Sequence, residues 1–186
     1  MGKEIIDFFH ELGLLKKIKR EGWRIIGVDN PESVADHSLR TAQIAYVLAK
    51  MENHPYPEKV CALSVFHDMA ECRVGDLHKI AQRYVNADEK DAAKGQTSQL
   101  GRIGKAVFSI WEEAEGKHTS AAIIAKDADL LEVAISAKEY SELGHKGTGD
   151  WIKNASKNLK TKSAKKLVKL LRLSSPNSWW KGLKKP

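Results

Sequence analysis

The stretch FHDMAECRVGDL, residues 66–77, contains the most informative pattern for the fold and for a polar site. It follows an apolar run that begins near Pro57, a residue that suits the first turn of a helix. Glu71 lies four residues after His67 and three after Asp68, so the three side chains share one side of a helix. Unpaired charge is costly among apolar residues. The stretch therefore predicts a helix that ends in a polar site.

Two other apolar segments contain ionisable residues of the same kind. His37 lies at the start of a predicted helix, just after Ser33 and Asp36, whose three-residue spacing resembles a capping box. Asp129 lies within IIAKDADLLEVAI, residues 123–135, which predicts a core helix. A bound cation would offset the cost of bringing imidazoles and carboxylates together. These ligand types suit Mn, Co, Fe, Ni, Zn or Mg better than a metal that prefers thiolates.

Each of these residues also has a simpler interpretation. His37 could be a helix-cap residue, and Asp129 could pair with Lys126 at the surface. Asp127 competes with Asp129 for the inward position, because both acids lie close together in the same helix. Spacing alone leaves the choice between the two aspartates open.

The rest of the chain predicts helices throughout. Apolar residues recur at three- and four-residue steps, and no alternating run is long enough for a strand. This pattern predicts a first helix with Ile5, Phe8, Phe9, Leu12, Leu15 and Ile18, and a last amphipathic helix with Leu159, Leu167, Val168 and Leu171. A short helix is expected over residues 77–86. The fold class is therefore predicted to be all-α, an irregular helical bundle with one domain over residues 1–173 and a basic, Trp-containing tail over residues 174–186.

Charge is distributed unevenly along the 186 residues. The net charge is +7, yet residues 151–186 hold ten Lys, one Arg and no acidic residue, which leaves residues 1–150 mildly acidic. Such a basic segment is expected either to attract phosphate-rich partners such as nucleic acid or to be a solvated helix face. No apolar run approaches the roughly 20 residues of a membrane span. The absence of a signal-peptide pattern and of a CxxC pairing of Cys61 and Cys72 favours the cytoplasm.

The order His37, His67-Asp68, Asp129 resembles the H…HD…D signature of the HD-domain metal-dependent phosphohydrolases. More narrowly, the chain is similar to the 5′-deoxynucleotidases, small HD proteins that remove phosphate from deoxyribonucleoside 5′-monophosphates. The similarity covers roughly residues 5–150, and HDMAE-x-x-x-GD is its most specific part. The motifs that carry it are GW at 22–23, NPESVADHS at 30–38, FHDMAECRVGDL at 66–77, AKDADLLE at 125–132 and EYSELGHK at 139–146.

The resemblance implies an HD-domain bundle that binds one divalent metal ion and forms a homodimer. It implies that Glu71 and Asp76 are important for catalysis, although Asp76 after Gly75 could also be an ordinary turn residue. The resemblance also implies that the metal ligands are His37, His67, Asp68 and Asp129. It thereby selects Asp129 over Asp127.

Substrate contacts are implied for two residues. Trp23 matches an aromatic residue that lines the nucleotide pocket of the family, although a core position is an alternative. Some bacterial members carry an arginine directly before this Trp, whereas this chain has Gly22, so Arg20 or a lysine is expected to contact the phosphate instead. There are two alternative functions. The chain could be an HD-type deoxynucleoside triphosphate hydrolase, or it could be a nucleic-acid-binding or regulatory protein that uses the basic C-terminal segment.

Overall fold

The computed structural model describes residues 2–183 and shows nine α-helices there, with no β-strand. The predicted all-α fold is therefore confirmed. The helices are α1 (Gly2–Leu12), α2 (Val34–Met51), α3 (Pro57–Phe66), α4 (Glu71–Val74), α5 (Glu89–Thr97), α6 (Gly101–Gly116), α7 (Ser120–Glu142), α8 (Gly149–Asn158) and α9 (Lys162–Leu173). Met1 and residues 184–186, which begin the predicted domain and end the predicted tail, lie outside the described residues.

Helix α7 is the central element of the bundle. It packs against α2, α3, α8 and α9, and small alanine side chains on its buried face let these neighbours approach closely. The main core is formed where they meet, and its largest fully buried apolar members include Leu48, Val60, Leu63 and Leu159. Two smaller apolar clusters surround Trp111 and Trp23. The core therefore holds α2, α3 and α7 in fixed relative positions, and these are the elements that lead into the polar site.

Local side-chain signals determine where two of these helices begin. The predicted capping box is confirmed: the Asp36 N–H donates to Ser33 Oγ at 3.1 Å, and the Ser33 N–H donates to Asp36 Oδ2 at 2.9 Å. Thr119 caps α7 with one such bond, in which its Oγ1 accepts from the Ala122 N–H. Each such cap stabilises a helix by about 1 kcal/mol.

Three predicted helix boundaries were wrong. The first helix ends at Leu12 and tightens into a 3-10 turn over Gly13–Lys16, because glycine is a poor helix former. Helix α3 ends at Phe66, so His67 and Asp68 lie in the turn that follows it. Residues 77–86 contain only the 3-10 turn Ala81–Arg83.

The predicted last amphipathic helix is also divided, into α8 and α9. Leu159 ends α8 with an extended backbone instead of joining α9. Asp127, which is 1% exposed, accepts hydrogen bonds from the N–H groups of Lys160 and Thr161 at 2.9 and 2.6 Å, and from Thr161 Oγ1 at 2.7 Å. The carboxylate on α7 thus holds the start of α9 in place. The boundary of the domain at residue 173 stays a prediction, although α9 ends at Leu173.

Over residues 2–183, no helix combines the length and the apolar character that crossing a bilayer requires.

Replacing Asp127 with Ala is expected to lower the free energy of unfolding by about 2–3 kcal/mol, because three donors at the start of α9 lose a charged acceptor. Urea denaturation followed by circular dichroism measures the change. Asp88→Ala is the matched control, since Asp88 is an exposed N-cap that accepts one hydrogen bond, from the Asp91 N–H. Its expected cost is about 1 kcal/mol. Equal losses in the two variants would show that Asp127 contributes only as an ordinary cap.

Candidate metal centre and its cavity

Three elements bring the four predicted metal ligands together. His37 lies in the first turn of α2, His67 and Asp68 follow α3, and Asp129 lies on α7. His37 Nε2 is 3.2 Å from Asp129 Oδ1 and 3.7 Å from Asp68 Oδ2. His67 Nε2 is 3.2 Å from the same Asp68 oxygen. The four side chains therefore form one compact cluster, as a shared cation requires.

The donor atoms of this cluster fit a divalent metal. One potential ligand atom each from His37, His67 and Asp129 lies within 4.8 Å of the others. The His67 Nδ1 group bonds to the Ser64 carbonyl oxygen at 2.7 Å, which turns Nε2 toward the cluster. That buried Nε2 has no hydrogen-bond partner among the described residues. An imidazole oriented in this way, with its other nitrogen bonded to a carbonyl, is typical of a metal ligand.

Electrostatics also favour a cation at this position. Burial opposes ionisation of Asp68, but the charges of His67 and Arg20 outweigh it and lower its pKa. Burial acts likewise on Asp129, where Lys126 and His37 hold the pKa well below its usual value. For His37, burial is outweighed by hydrogen bonds to carboxylates, which raise its pKa to about 9. In the protein alone, a proton on His37 thus balances the charge of these carboxylates, which a bound cation would otherwise neutralise.

The competing interpretations of the two α7 aspartates are separated by their positions. Asp127 bonds to the start of α9 and lies outside the cluster, whereas Asp129 faces His37. The proposed pair between Asp129 and Lys126 does exist, with 2.5 Å between Nζ and Oδ2. Asp129 is 8% exposed whereas Lys126 is half-exposed, so this ion pair runs from the buried site toward the surface. Lys126 therefore adds a positive charge beside the ligand cluster.

The two acidic residues predicted to assist catalysis lie beside the ligands. Burial, followed by the charge of Asp68, raises the pKa of Glu71 to about 10, and its buried Oε2 has no hydrogen-bond partner among the described residues. Asp76 accepts hydrogen bonds from Arg20 Nη1 at 3.1 Å and from the Glu21 N–H at 2.7 Å. Glu71 thus carries a proton at neutral pH in the protein alone, while Asp76 is held in place by protein donors.

A cavity of about 600 Å³ opens onto these residues. Its volume lies in the range of small-molecule sites. Six of the eight predicted site residues line it, namely Arg20, Trp23, Asp68, Glu71, Asp76 and Asp129. His37 and His67 do not line it, although both belong to the ligand cluster. The cavity therefore connects the candidate metal centre to a space large enough for a nucleotide-sized ligand.

Arg20 and Trp23 occupy different parts of this cavity wall. Arg20 Nη1 lies 3.3 Å from Asp68 Oδ2, so the guanidinium reaches the metal ligands directly. Trp23 is 3% exposed, and its indole N–H donates to Glu32 Oε1 at 3.1 Å. Its ring stacks on that of Trp151, with 5.5 Å between the centroids. Trp23 thus combines the predicted place in the cavity wall with the alternative role of a core residue.

A buried network behind His37 was missed by the sequence analysis. The fully buried Glu132 accepts a hydrogen bond from His37 Nδ1 at 2.5 Å, and Arg40 donates to the other carboxylate oxygen of Glu132. Arg40 also bonds to Glu139, and Ser136 bonds to Glu132. A local signal was present, because Glu132 lies three residues after Asp129 in the same apolar helix. The network fixes the orientation of the His37 ring from behind.

Glu132→Gln is expected to weaken metal binding by about 10- to 100-fold, the usual effect of removing a partner that orients a ligand. Calorimetric titration of metal-stripped protein with Mn²⁺ measures the dissociation constant. Glu139→Gln serves as the control, because Glu139 also bonds to Arg40 but is half-exposed and makes no contact with His37. A change of less than about twofold is expected for the control. Equal weakening in both variants would assign the effect to Arg40 and not to the orientation of His37.

Comparison with known proteins agrees with this geometry. The family model described as "HD domain" matches residues 12–171. A 5′-deoxynucleotidase HDDC2 from Dictyostelium discoideum is 35% identical over 150 residues, which cover 75% of this chain and 79% of that protein. The human 5′-deoxynucleotidase HDDC2 is 33% identical over 148 residues, which cover 77% and 72% of the two chains.

A solved structure extends the likeness to nearly the whole fold. A conserved hypothetical protein from Pyrococcus furiosus superimposes with a TM-score of 0.74 and 31% identity, over 91% of this chain and 99% of the other. The helical bundle, the histidine and aspartate cluster, and the extent of these matches agree with one another. The chain therefore belongs to the HD-domain family of metal-dependent phosphohydrolases, in the group that includes the 5′-deoxynucleotidases.

Proposed function

We propose that this protein is a 5′-deoxynucleotidase that releases phosphate from deoxyribonucleoside 5′-monophosphates. The observation that carries the proposal is the cavity that joins the ligand cluster, Glu71 and Arg20 in one space. The names of the relatives support the substrate class. The metal is proposed to be one divalent ion held by His37, His67, Asp68 and Asp129; this donor set is compatible with Mn, Co, Ni, Fe, Zn or Mg.

The proposed mechanism assigns proton exchange to Glu71. When bound, the divalent ion supplies Lewis-acid activation of water and of the phosphoryl group. The raised pKa of about 10 keeps Glu71 protonated at neutral pH in the protein alone, and in that form its unbonded Oε2 can orient the attacking water. A cation held by the neighbouring ligands would favour loss of that proton, and the resulting carboxylate could then accept a proton from the water. Because Glu71 borders the same cavity as Asp68, a substrate phosphate there would lie near both groups.

Arg20 and Asp76 are proposed to position the substrate. The Arg20 guanidinium is planar and offers several donors, which suits a phosphate group. Asp76 fixes this guanidinium through the bond to Nη1 and is itself fixed by the Glu21 N–H. Asp76 is also proposed either to protonate the leaving 5′-oxygen or to hold the sugar, and Trp23 to contact the nucleoside from the cavity wall.

Glu71→Gln is expected to reduce phosphate release by about 100-fold or more, because the amide cannot exchange a proton with water. The assay follows phosphate release from a panel of 5′-nucleotides, using metal-stripped protein refilled with Mn, Co, Mg, Ni or Zn. Asp68→Ala, which removes a ligand, should abolish the release. Glu21→Gln is the control, since that half-exposed carboxylate pairs with Arg24 and does not line the cavity.

The same panel distinguishes the proposed reaction from its closest alternative. Inorganic phosphate released from monophosphates supports the nucleotidase. Inorganic triphosphate released from deoxynucleoside triphosphates would support an HD-type triphosphate hydrolase with the same ligands. No release from monophosphates with any of the metals, in correctly folded protein, would contradict the proposal.

The protein is also proposed to form a homodimer, and to act in the cytoplasm, where Cys61 and Cys72 would remain free thiols as they are here. An apolar groove between α2 and α9 supports the dimer, and its exposed members include Val47 and Leu170. Light scattering should give twice the mass of the chain, and Val47→Glu should halve it. A monomeric wild-type protein would contradict this part of the proposal.

Nucleic-acid binding remains a second candidate function. Helix α9 exposes Lys162, Lys165, Lys166 and Lys169, and none of them forms an ion pair with another described residue. Clustered cations of this kind favour a phosphate backbone, and such binding weakens steeply as salt concentration rises. Exposed Trp179 would add a stacking surface.

A further inference from the structure

Helix α8 forms a wall of the cavity that lies outside the motifs of the sequence analysis. Asp150, Trp151, Asn154 and Asn158 all line the cavity. Their three- and four-residue spacing places them on one face of the helix. The motifs quoted in the sequence analysis covered roughly residues 5–150, so this face was not assigned a role there, although the HD-domain match extends to residue 171.

Several residues of α8, Trp151 among them, also anchor the helix in the core. Ala155 and Leu159 are 3% and 2% exposed and belong to the main apolar cluster. Trp151 and Ile152 pack against the cluster around Trp23, and the Trp23 and Trp151 rings are nearly parallel, at 27°. A helix held on two sides in this way presents its remaining side chains at defined positions.

The side chains that α8 presents differ in chemistry from those near the metal ligands. The metal end of the cavity carries Glu71, Arg20 and Lys126, which suit a phosphate and the ion that balances it. The α8 end carries an indole ring and two neutral amides beside one acid, Asp150. Indole rings stack on nucleobases, and asparagine amides pair with the donor and acceptor atoms of base edges.

The two amides are available to different degrees. The exposed Asn154 amide makes no hydrogen bond with any group in residues 2–183. Asn158 Nδ2 donates to the Asn154 carbonyl oxygen at 2.8 Å, which occupies one amide hydrogen and leaves Oδ1 as an acceptor. Asn154 therefore offers both a donor and an acceptor to a ligand in the cavity, whereas Asn158 offers mainly an acceptor.

We propose that α8 is the base-reading element of this enzyme. Trp151 stacks against the nucleobase, and Asn154 and Asn158 select among bases through hydrogen bonds to the base edge. The proposal rests on the proposed nucleotidase function and adds to it the residues that determine base preference.

The test compares the four deoxyribonucleoside monophosphates in wild-type protein, Asn154→Leu and Asn154→Asp. For each base, kcat/KM is divided by the value for deoxyribose 5-phosphate, which has no base. Losing one hydrogen bond should change the ratio between the best and worst bases by about five- to tenfold. Asn154→Asp keeps an acceptor but loses the donor, so it should change the order of preference. Lys153→Leu is the control, because this neighbouring exposed residue does not line the cavity.

A second readout separates failure of this proposal from failure of the nucleotidase proposal. Calorimetry measures binding of the four deoxyribonucleosides, which lack the phosphate and need no turnover. In one outcome, the wild-type protein releases phosphate, but Asn154→Leu changes neither the base ratios nor the deoxyribonucleoside affinities. This result would overturn the role of α8 alone. In another outcome, the deoxyribonucleoside affinities depend on the base and change in Asn154→Leu, but the wild-type protein releases no phosphate. This result would overturn the nucleotidase proposal alone.

Discussion

The hydrogen bond between His37 and Glu132 is the contact on which the site depends. It joins the first turn of α2 to the middle of α7, and both side chains are fully buried. A buried carboxylate is costly unless its oxygens are bonded, and Arg40 and Ser136 supply the remaining donors to Glu132. Because this bond holds one ring nitrogen of His37, the other nitrogen faces Asp129. A polar network deeper in the core thus fixes the orientation of His37 within the ligand cluster.

Helix α7 connects this network to the rest of the molecule. Within six residues it directs Asp127 toward the start of α9, Asp129 toward the ligand cluster and Glu132 toward His37. Asp129 and Glu132 meet opposite nitrogens of the same His37 ring, whereas Asp127 meets donors at the start of α9, so each of the three charges has a partner. The same helix also packs against α8, which carries the other end of the cavity. One rigid element therefore relates the candidate metal centre to the opposite side of the cavity.

Local signals in the sequence predicted the fold class and drew attention to the residues that converge, and the resemblance to the HD-domain proteins then selected Asp129 over Asp127. Imidazoles and carboxylates within apolar helices are conspicuous, and the spacing of Ser33 and Asp36 marks a helix start without any information on tertiary structure. The partners of Asp127 and Arg20 could not be predicted in this way. Asp127 bonds to residues 33 and 34 positions later, and Arg20 bonds to Asp68, 48 positions later. Such pairings depend on how the helices pack, which is also why the break between α8 and α9 was missed.

The use of two opposed sides of α7 within six residues, one for Asp127 and the other for Asp129 and Glu132, limits how this segment can change during evolution. Inserting or deleting one residue between Asp127 and Glu132 would rotate the following part of the helix by about 100° relative to the preceding part. The acid that serves α9 and the acid that serves His37 could then no longer both meet their partners. Point substitutions at the apolar positions between them would keep the spacing of the acids, whereas changes in length would not. We therefore expect homologous chains to vary in length in the loops and to keep the spacing of these acids constant.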